Sequence, residues 1–382
     1  MFGLYGLLTT PLKIKTFFWS VVMYIFSSLG ITAGYHRLWS HRSYNASIPL
    51  QAFLLIAGAS AVQGSAYWWA RGHRVHHRYT DSELDPYNAK RGILWSHIGW
   101  MMVKPERKLG MADISDLRKD PLIQWQHQYY FLLVVIFGYA LPSLIAGYFW
   151  NDYSGGFYYA SLLRMTIVHH GVFAVNSLAH HFGDQMYDDE LTPRDHFFVA
   201  LLTMGEGYHN FHHAFPMDYR NAILWYQYDP TKWFIAVCKQ IRLASQLRVF
   251  PENEIQKGSL NMELKRLKKI QDRLRWPIDP ETLPILSWEA FQEQSSSSAI
   301  VLVAGFIYDV SSFLDDHPGG PAILRGYVGK DATAAFSGGI YKHSNSAHNL
   351  LAMLRVAALF GGIEHIKMYS PAEKIHIVER TS

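Results

Sequence analysis

The stretch HRVHH at residues 73–77 decides how the rest of this chain reads. On a helix His73, His76 and His77 stand at i, i+3 and i+4, so their imidazoles leave from one face and can converge on one point. The same spacing recurs as His209, His212 and His213 in HNFHH, and a looser pair, His36 and His41, stands in HRLWSH. Any one histidine is ordinarily a surface or hydrogen-bonded core residue. Two HxxHH groups beside apolar segments are different, because crowded imidazoles repel once protonated and are costly to bury without a partner. A metal is a partner that satisfies them together.

His180 in NSLAHHFG is a ninth candidate, with Asn176 one turn earlier on the same face. A tetrahedral metal takes four protein ligands, or three if it keeps a water, so nine histidines imply two metals. Imidazole suits iron, copper, nickel and zinc alike. A second region reads as an electron carrier, which a redox-inert zinc could not use, and this favours iron. The ExxH pattern of soluble di-iron bundles is missing. His97, His127, His169, His170, His181 and His196 are left as structural. Glu206, three residues before His209, is a candidate to orient an imidazole from behind, with an ordinary solvent-facing glutamate as its default reading.

The chain has 382 residues, room for two or three domains, and its formal net charge of +4 is mild. Nucleic acid is not expected as a partner. Half the composition is hydrophobic, and 12 Trp suit side chains anchored at a membrane interface. The single cysteine, Cys238, excludes an internal disulfide and any CxxC site, which points to a reducing compartment. No cleavable leader is evident at the start.

Residues 1–9 are apolar and stop at Thr10-Pro11, short of the roughly 20 residues a crossing needs; they read as the stub of a further hairpin helix. Phe17–Ala33, Tyr130–Trp150 and Phe157–Leu178 read as spans, and Ile48–Ala66 as a helix lying in or just under the interface. The turn NDYSGG between the last two spans has no Lys or Arg, whereas residues 36–128 carry twelve. The positive-inside rule therefore places the histidine groups in the cytosol and the turn in the lumen. Asn261–Arg275 reads as a basic amphipathic helix, on anionic lipid or as a plain solvated linker, and Trp276-Pro277 and Asp279-Pro280 mark a boundary.

ITAGYHRLWSHR, YWWARGHRVHHRYTD, NSLAHHFG and GEGYHNFHHAFP, spaced between hydrophobic hairpins, resemble the membrane-bound acyl-CoA Δ9 desaturases, the stearoyl-CoA desaturase family. The resemblance covers residues 1 to about 245. It implies an all-α transmembrane domain of four spans, its first span cut short here, with both termini cytosolic. It also implies two irons held by the nine histidines, with Asn176 acting through water and the helix ending between His36 and His41. By the same resemblance a saturated acyl chain enters a kinked tunnel past the irons. Gln63, Trp69 and Arg71 match tunnel or CoA contacts, Lys90 and Arg91 phosphate contacts, and Tyr24 is a candidate floor. Lys90 and Arg91 also read as a generic basic rim, and Tyr24 as a packed residue.

From Leu283 onward the chain reads as a small α+β domain. Residues 300–303 and 306–310 flank Ala304-Gly305 as a β-hairpin, followed by His317-Pro318-Gly319-Gly320, a helix and His343. DDHPGG with YKHSNSAHNLL resembles cytochrome b5, which implies haem b held between His317 and His343, with His348 as a second possibility for the distal side. Asp309, Asp315 and Asp316 offer an acidic rim for a basic reductase, or are merely solvated.

The expected organisation is thus a di-iron domain at 1–248, a linker at 249–282, a haem domain at 283–370 and a tail at 371–382. The expected activity is insertion of a cis double bond between carbons 9 and 10 of a saturated fatty acyl-CoA. Dioxygen is the oxidant, and electrons come from NADH-cytochrome b5 reductase through the haem, at the endoplasmic reticulum membrane. A lipid hydroxylase and a non-catalytic haem or metal-binding membrane protein are the rivals.

Overall fold

A computed structural model describes residues 2–103, 110–338 and 342–361. The expected tail 371–382 and the end of the expected haem domain, 362–370, lie outside these. The chain divides into two contact units, 1–268 and 269–382. The division falls inside one continuous helix, Glu252–Gln271, within the stretch read as linker.

In the first unit α1 (Phe2–Thr9) stops at Thr10-Pro11, and α2 runs from Ile14 to Ser40. α3 is Ile48–Ser60, α4 Ala66–Tyr79, α5 residues 95–102, α6 Tyr130–Trp150 and α7 residues 153–181. Among the described residues α2 and α6 are the helices long and apolar enough to cross a membrane. α7 is also long, but it carries Arg164, His169 and His170.

The turn between α6 and α7 holds Asn151 in the left-handed region, and the Asp152 carboxylate accepts from Gly155 N–H as an N-cap. Thr16 donates its hydroxyl to Asp152, Trp150 Nε1 donates to Thr16 Oγ1 at 2.8 Å, and Lys13 Nζ donates to Asn151 O at 2.9 Å. The start of α2 and this turn therefore share one end of the bundle. His36 and His180 lie towards the opposite ends of their helices.

Within residues 48–66, α3 runs beside α2, with Leu54 against Gly34 and the backbone of Gly58 against Gly30. A Cβ on Gly30 would stand 2.0 Å from Gly58 N, so only glycine permits this approach. As expected, α2 ends between His36 and His41, at Ser40, with His41 as its cap. Its last segment, Gly30–Ser40, is wound as a π-helix, and His41 N–H donates to His36 O at 3.1 Å. Each hydrogen bond of that pattern spans five residues, and the wider winding carries His41 round towards His36, their rings 4.8 Å apart; a regular α-helix would leave the two about 140° apart.

In the second unit β3 (Ile285–Leu286), β4 (Ile300–Val303), β5 (Phe306–Asp309) and β6 (Arg355–Leu359) form a sheet of order β3-β6-β5-β4, while β1 (Asn45–Ala46) and β2 (Ala244–Ser245) pair in the first unit. Ala304 and Gly305 both take positive φ, the two-residue hairpin turn whose twist matches its strands. Val301, Val303, Phe306 and Tyr308 pack on one face, towards Leu324, Phe336 and Leu351. Ile300, Leu302 and Ile307 pack with Phe291 on the other. Alternation of side chains along the strands thus buries both faces.

Candidate metal centre

The nine histidines named from the sequence gather into two groups. His36, His41, His73, His77 and His212 form one, and His76, His180, His209 and His213 the other; within each group the ligand atoms lie within 4.8 Å of one another. α4 supplies members to both, because His73 and His77 share one stripe and His76 faces round to the next. The helix His209–Ala214, α8, divides likewise: His212 joins the first group, His209 and His213 the second.

Nitrogen faces nitrogen throughout. His212 Nε2 is 3.0 Å from His36 Nε2 and 2.9 Å from His77 Nε2, and His41 and His73 approach at 2.8 Å. His209 Nε2 is 3.1 Å from both His180 Nε2 and His213 Nε2. Groups behind the rings set where the protons sit. His76 Nδ1–H donates to Asp85 Oδ1 at 2.9 Å, which makes Nε2 a lone-pair nitrogen; that atom is buried with no protein partner. Thr192 donates its hydroxyl to Asp81 Oδ1 at 2.6 Å and so accepts from His180 Nδ1–H at 2.8 Å. His180 Nε2 is therefore a lone pair too, facing other nitrogens in a buried site.

Burial first, then the mutual repulsion of neighbouring rings, holds His73, His77, His209, His212 and His213 well below the usual imidazole range. His41 follows, with Arg74 and Arg37 adding to the effect. Neutral imidazoles with converging lone pairs are the form that binds a divalent metal. The residues present fit such an ion in each group.

Glu206 is not solvent-facing. It is buried, with Oε2 2.6 Å from His36 Nδ1, in ion-pair contact although the ring N–H is not aligned on that oxygen. It therefore stands behind His36 and not behind its sequence neighbour His209. Burial alone would raise its pKa, but His36 and Arg37 outweigh this and hold the carboxyl at about 2. Arg37, also buried, is shared between Glu206 and Asp229 and donates to Tyr219 O at 2.7 Å. Asn210 stitches α8 in place, accepting from Tyr187 N–H and donating to Asp188 O and Pro193 O.

A cavity opens beside both groups, with His36, His73 and His209 at one end and Ile31, Val168 and Leu202 along its walls. Asn176 and Trp69 also line it, and the Trp69 ring stacks on His73 at 5.0 Å. Gln63 and Tyr24 stand one layer back. Gln63 Nε2 donates to Val168 O at 3.4 Å, and Tyr24 donates its hydroxyl to Leu202 O. Arg71, Lys90 and Arg91 are exposed, and the Arg91 guanidinium lies 3.5 Å over the Trp95 ring. His97 and His170 pair with each other at 3.0 Å, outside both groups.

The fatty acid desaturase family matches residues 15–243, which hold the whole of this constellation. The chain belongs to that family. A probable acyl-CoA desaturase of Schizosaccharomyces pombe is 49% identical over 365 residues, 95% of this chain and 76% of the relative. Acyl-CoA desaturase 1 of Saccharomyces cerevisiae is 47% identical over 94% of this chain and 71% of its own length. Stearoyl-CoA desaturase 5 of Homo sapiens is 42% identical over 61% of this chain and 72% of its own length.

Later in the chain, residues 287–359 match the cytochrome b5-like haem/steroid binding domain. His317 Nδ1–H points to Gly320 O at 3.3 Å and His343 Nδ1–H to Phe336 O at 2.9 Å. With the proton on Nδ1, each Nε2 carries the lone pair that an axial haem ligand needs. Phe336 stacks on His343 at 4.4 Å and meets His348 edge-on at 4.8 Å. Gly320 adopts φ 90° with open space where a Cβ would stand, which gives the HPGG turn its left-handed step.

Proposed function

We propose that this desaturase is an acyl-CoA Δ9 desaturase that inserts a cis double bond between carbons 9 and 10 of a saturated fatty acyl-CoA. The observation that carries the reading is two groups of converging imidazoles opening onto a cavity walled by Ile31, Val168, Val172 and Leu202. The nine histidines would hold two irons, Asn176 acting on one of them through water, and His317 and His343 would hold haem b. Bound iron would supply the stepwise reduction of dioxygen. Taking two hydrogens from the chain and reducing dioxygen to two waters consumes two further electrons and two protons, which calls for an electron donor. The haem unit fits that need, and NADH-cytochrome b5 reductase would charge it against the acidic residues Asp309, Asp315 and Asp316.

The chain's own residues do the rest. Trp69 and the aliphatic walls exclude water and set the depth of the acyl chain, with Gln63 and Tyr24 buttressing that wall. Arg71, Lys90 and Arg91 present cations for the CoA phosphates at the exposed surface. Four spans, with the histidine groups on the cytosolic side of the endoplasmic reticulum membrane, would complete the arrangement. Expression in a cell that requires unsaturated fatty acid, followed by lipid analysis, tests the reading. Growth with cis-Δ9 fatty acids is expected; a hydroxylated acyl chain, or no change in lipid, would overturn it.

A further inference from the structure

We propose that Arg164, seconded by His169, is a positioning residue that fixes the deep end of the cavity and so the length of acyl chain it accepts. The inference rests on the reading of that cavity as the acyl site. Arg164 is 2% exposed and sits on α7 one turn from Val168, which lines the cavity. Among the described residues its partners are three backbone carbonyls: Nη1 donates to Ser60 O at 2.6 Å, Nη2 to Gly138 O at 3.1 Å and Nε to Ala160 O at 3.1 Å.

Those carbonyls belong to three different elements. Ser60 is the last residue of α3, which stops inside the bundle, where its terminal carbonyls lack intrahelical donors. Gly138 lies in a π-wound segment of α6. His169 adds a donor, with Nε2 2.8 Å from Ala61 O. The negative end of α3 is thus met by a cation and an N–H from α7, and α3, α6 and α7 are tied at one point. The same tie holds the loop that leads into α4, which brings Trp69 and His73 to the cavity.

A planar fork can reach two helices at once, whereas an ammonium is a single point. Release of the tie lets the wall at Val168 yield, so longer chains gain. The test measures thermal stabilisation of the purified full chain by saturated 14-, 16- and 18-carbon acyl-CoAs, together with the ratio of 18- to 16-carbon unsaturated products in cells. In Arg164→Lys both readouts are expected to move towards longer chains, the product ratio about threefold, with iron and haem content unchanged. His169→Leu is expected to move them the same way, and His169→Gln, which keeps a donor, to restore the parental values. Leu133→Ala, a buried change in α6 away from the cavity, serves as a control for general loosening and is expected to leave length preference alone. Should Arg164→Lys fail to fold, the His169 pair decides. Parental length preference in Arg164→Lys and His169→Leu overturns the inference, and so does an equal shift in Leu133→Ala. A parent chain indifferent to every acyl-CoA overturns the functional reading as well, and that failure is distinct from a parent that discriminates by length alongside variants that discriminate identically.

Discussion

His76 can bind a metal through Nε2 in only one tautomer, and Asp85 selects it by taking the Nδ1 proton. Asp85→Asn can instead offer its amide to Nδ1, which moves the ring proton to the side facing the second group. Such partners behind a ligand typically carry about 10- to 100-fold in metal affinity. Iron in the purified chain is therefore expected to fall from two towards one per haem, measured by metal analysis against the haem absorbance. Thr192→Val is expected to act likewise on His180, and Thr192→Ser to keep both irons. Parental iron in Asp85→Asn and Thr192→Val would sink the tautomer argument. The histidine groups themselves were legible in the sequence because repeated i, i+3, i+4 spacing is a local property. Asp81, Asp85 and Thr192 were not, because what qualifies them is their place beside a ring, which the tertiary fold decides. Glu206 marks the border between the two: its type suggested a partner for histidine, but His36 stands 170 residues away in sequence, and only packing reveals the pair.

At the level of elements, apolar content marked the long helices, while the small residues along residues 57–60 serve close packing. α3 approaches α2 so tightly at Gly30 and Gly58 that Gly30→Ala must push backbone from backbone. The expected cost is roughly 1–3 kcal/mol or more, read as a lower midpoint in thermal unfolding of the detergent-solubilised chain. Gly72→Ala, in α4, meets only the Tyr87 hydroxyl at 3.4 Å and is expected to be neutral or mildly stabilising, as replacement of a helical glycine usually is. Equal midpoints for the two variants would contradict the packing account. α4 is also braced from outside. Arg74 donates to both carboxylate oxygens of Asp116 at 2.7 Å, and Arg42 approaches it at 2.9 Å. Partial burial opposes ionisation of Asp116, but the two arginines prevail and lower its pKa from 3.8 to about 2. A depressed carboxylate contributes stability that is present above the unfolded pKa and lost as pH falls through the folded one. Asp116→Asn is therefore expected to lower the midpoint at pH 7, with the deficit shrinking between about pH 4 and pH 2; a deficit that persists at pH 2 would contradict the assignment. The π-winding at Gly30–Ser40 had no sequence signal, since an ordinary helical pattern precedes it and the extra residue per turn appears only once His41 must reach the first group.

On the scale of the whole molecule, the hairpin at Ala304-Gly305 and the turn at HPGG made the second unit readable from local chemistry alone, and the two units each bury their own core. Separate cores mean that loss of one cofactor need not disturb the other. If His343 holds the haem as proposed, His343→Ala is expected to cost the purified chain its bis-histidine haem spectrum while its iron content stays at the parental value. On the same proposal His348→Ala is expected to keep haem, His343 having its Nδ1–H on Phe336 O and its Nε2 lone pair left for the metal. If the tethered haem serves only as an electron donor, His343→Ala should make no unsaturated product by itself, yet regain activity when soluble cytochrome b5 and its reductase are added. The tether's contribution would then be concentration: an attached donor acts at an effective concentration on the order of millimolar, so much less free donor should leave the rescue incomplete. Full activity of His343→Ala without any added donor would mean that electrons reach the imidazole groups by a route that bypasses the second unit, and the pairing of the two units in one chain would need another explanation.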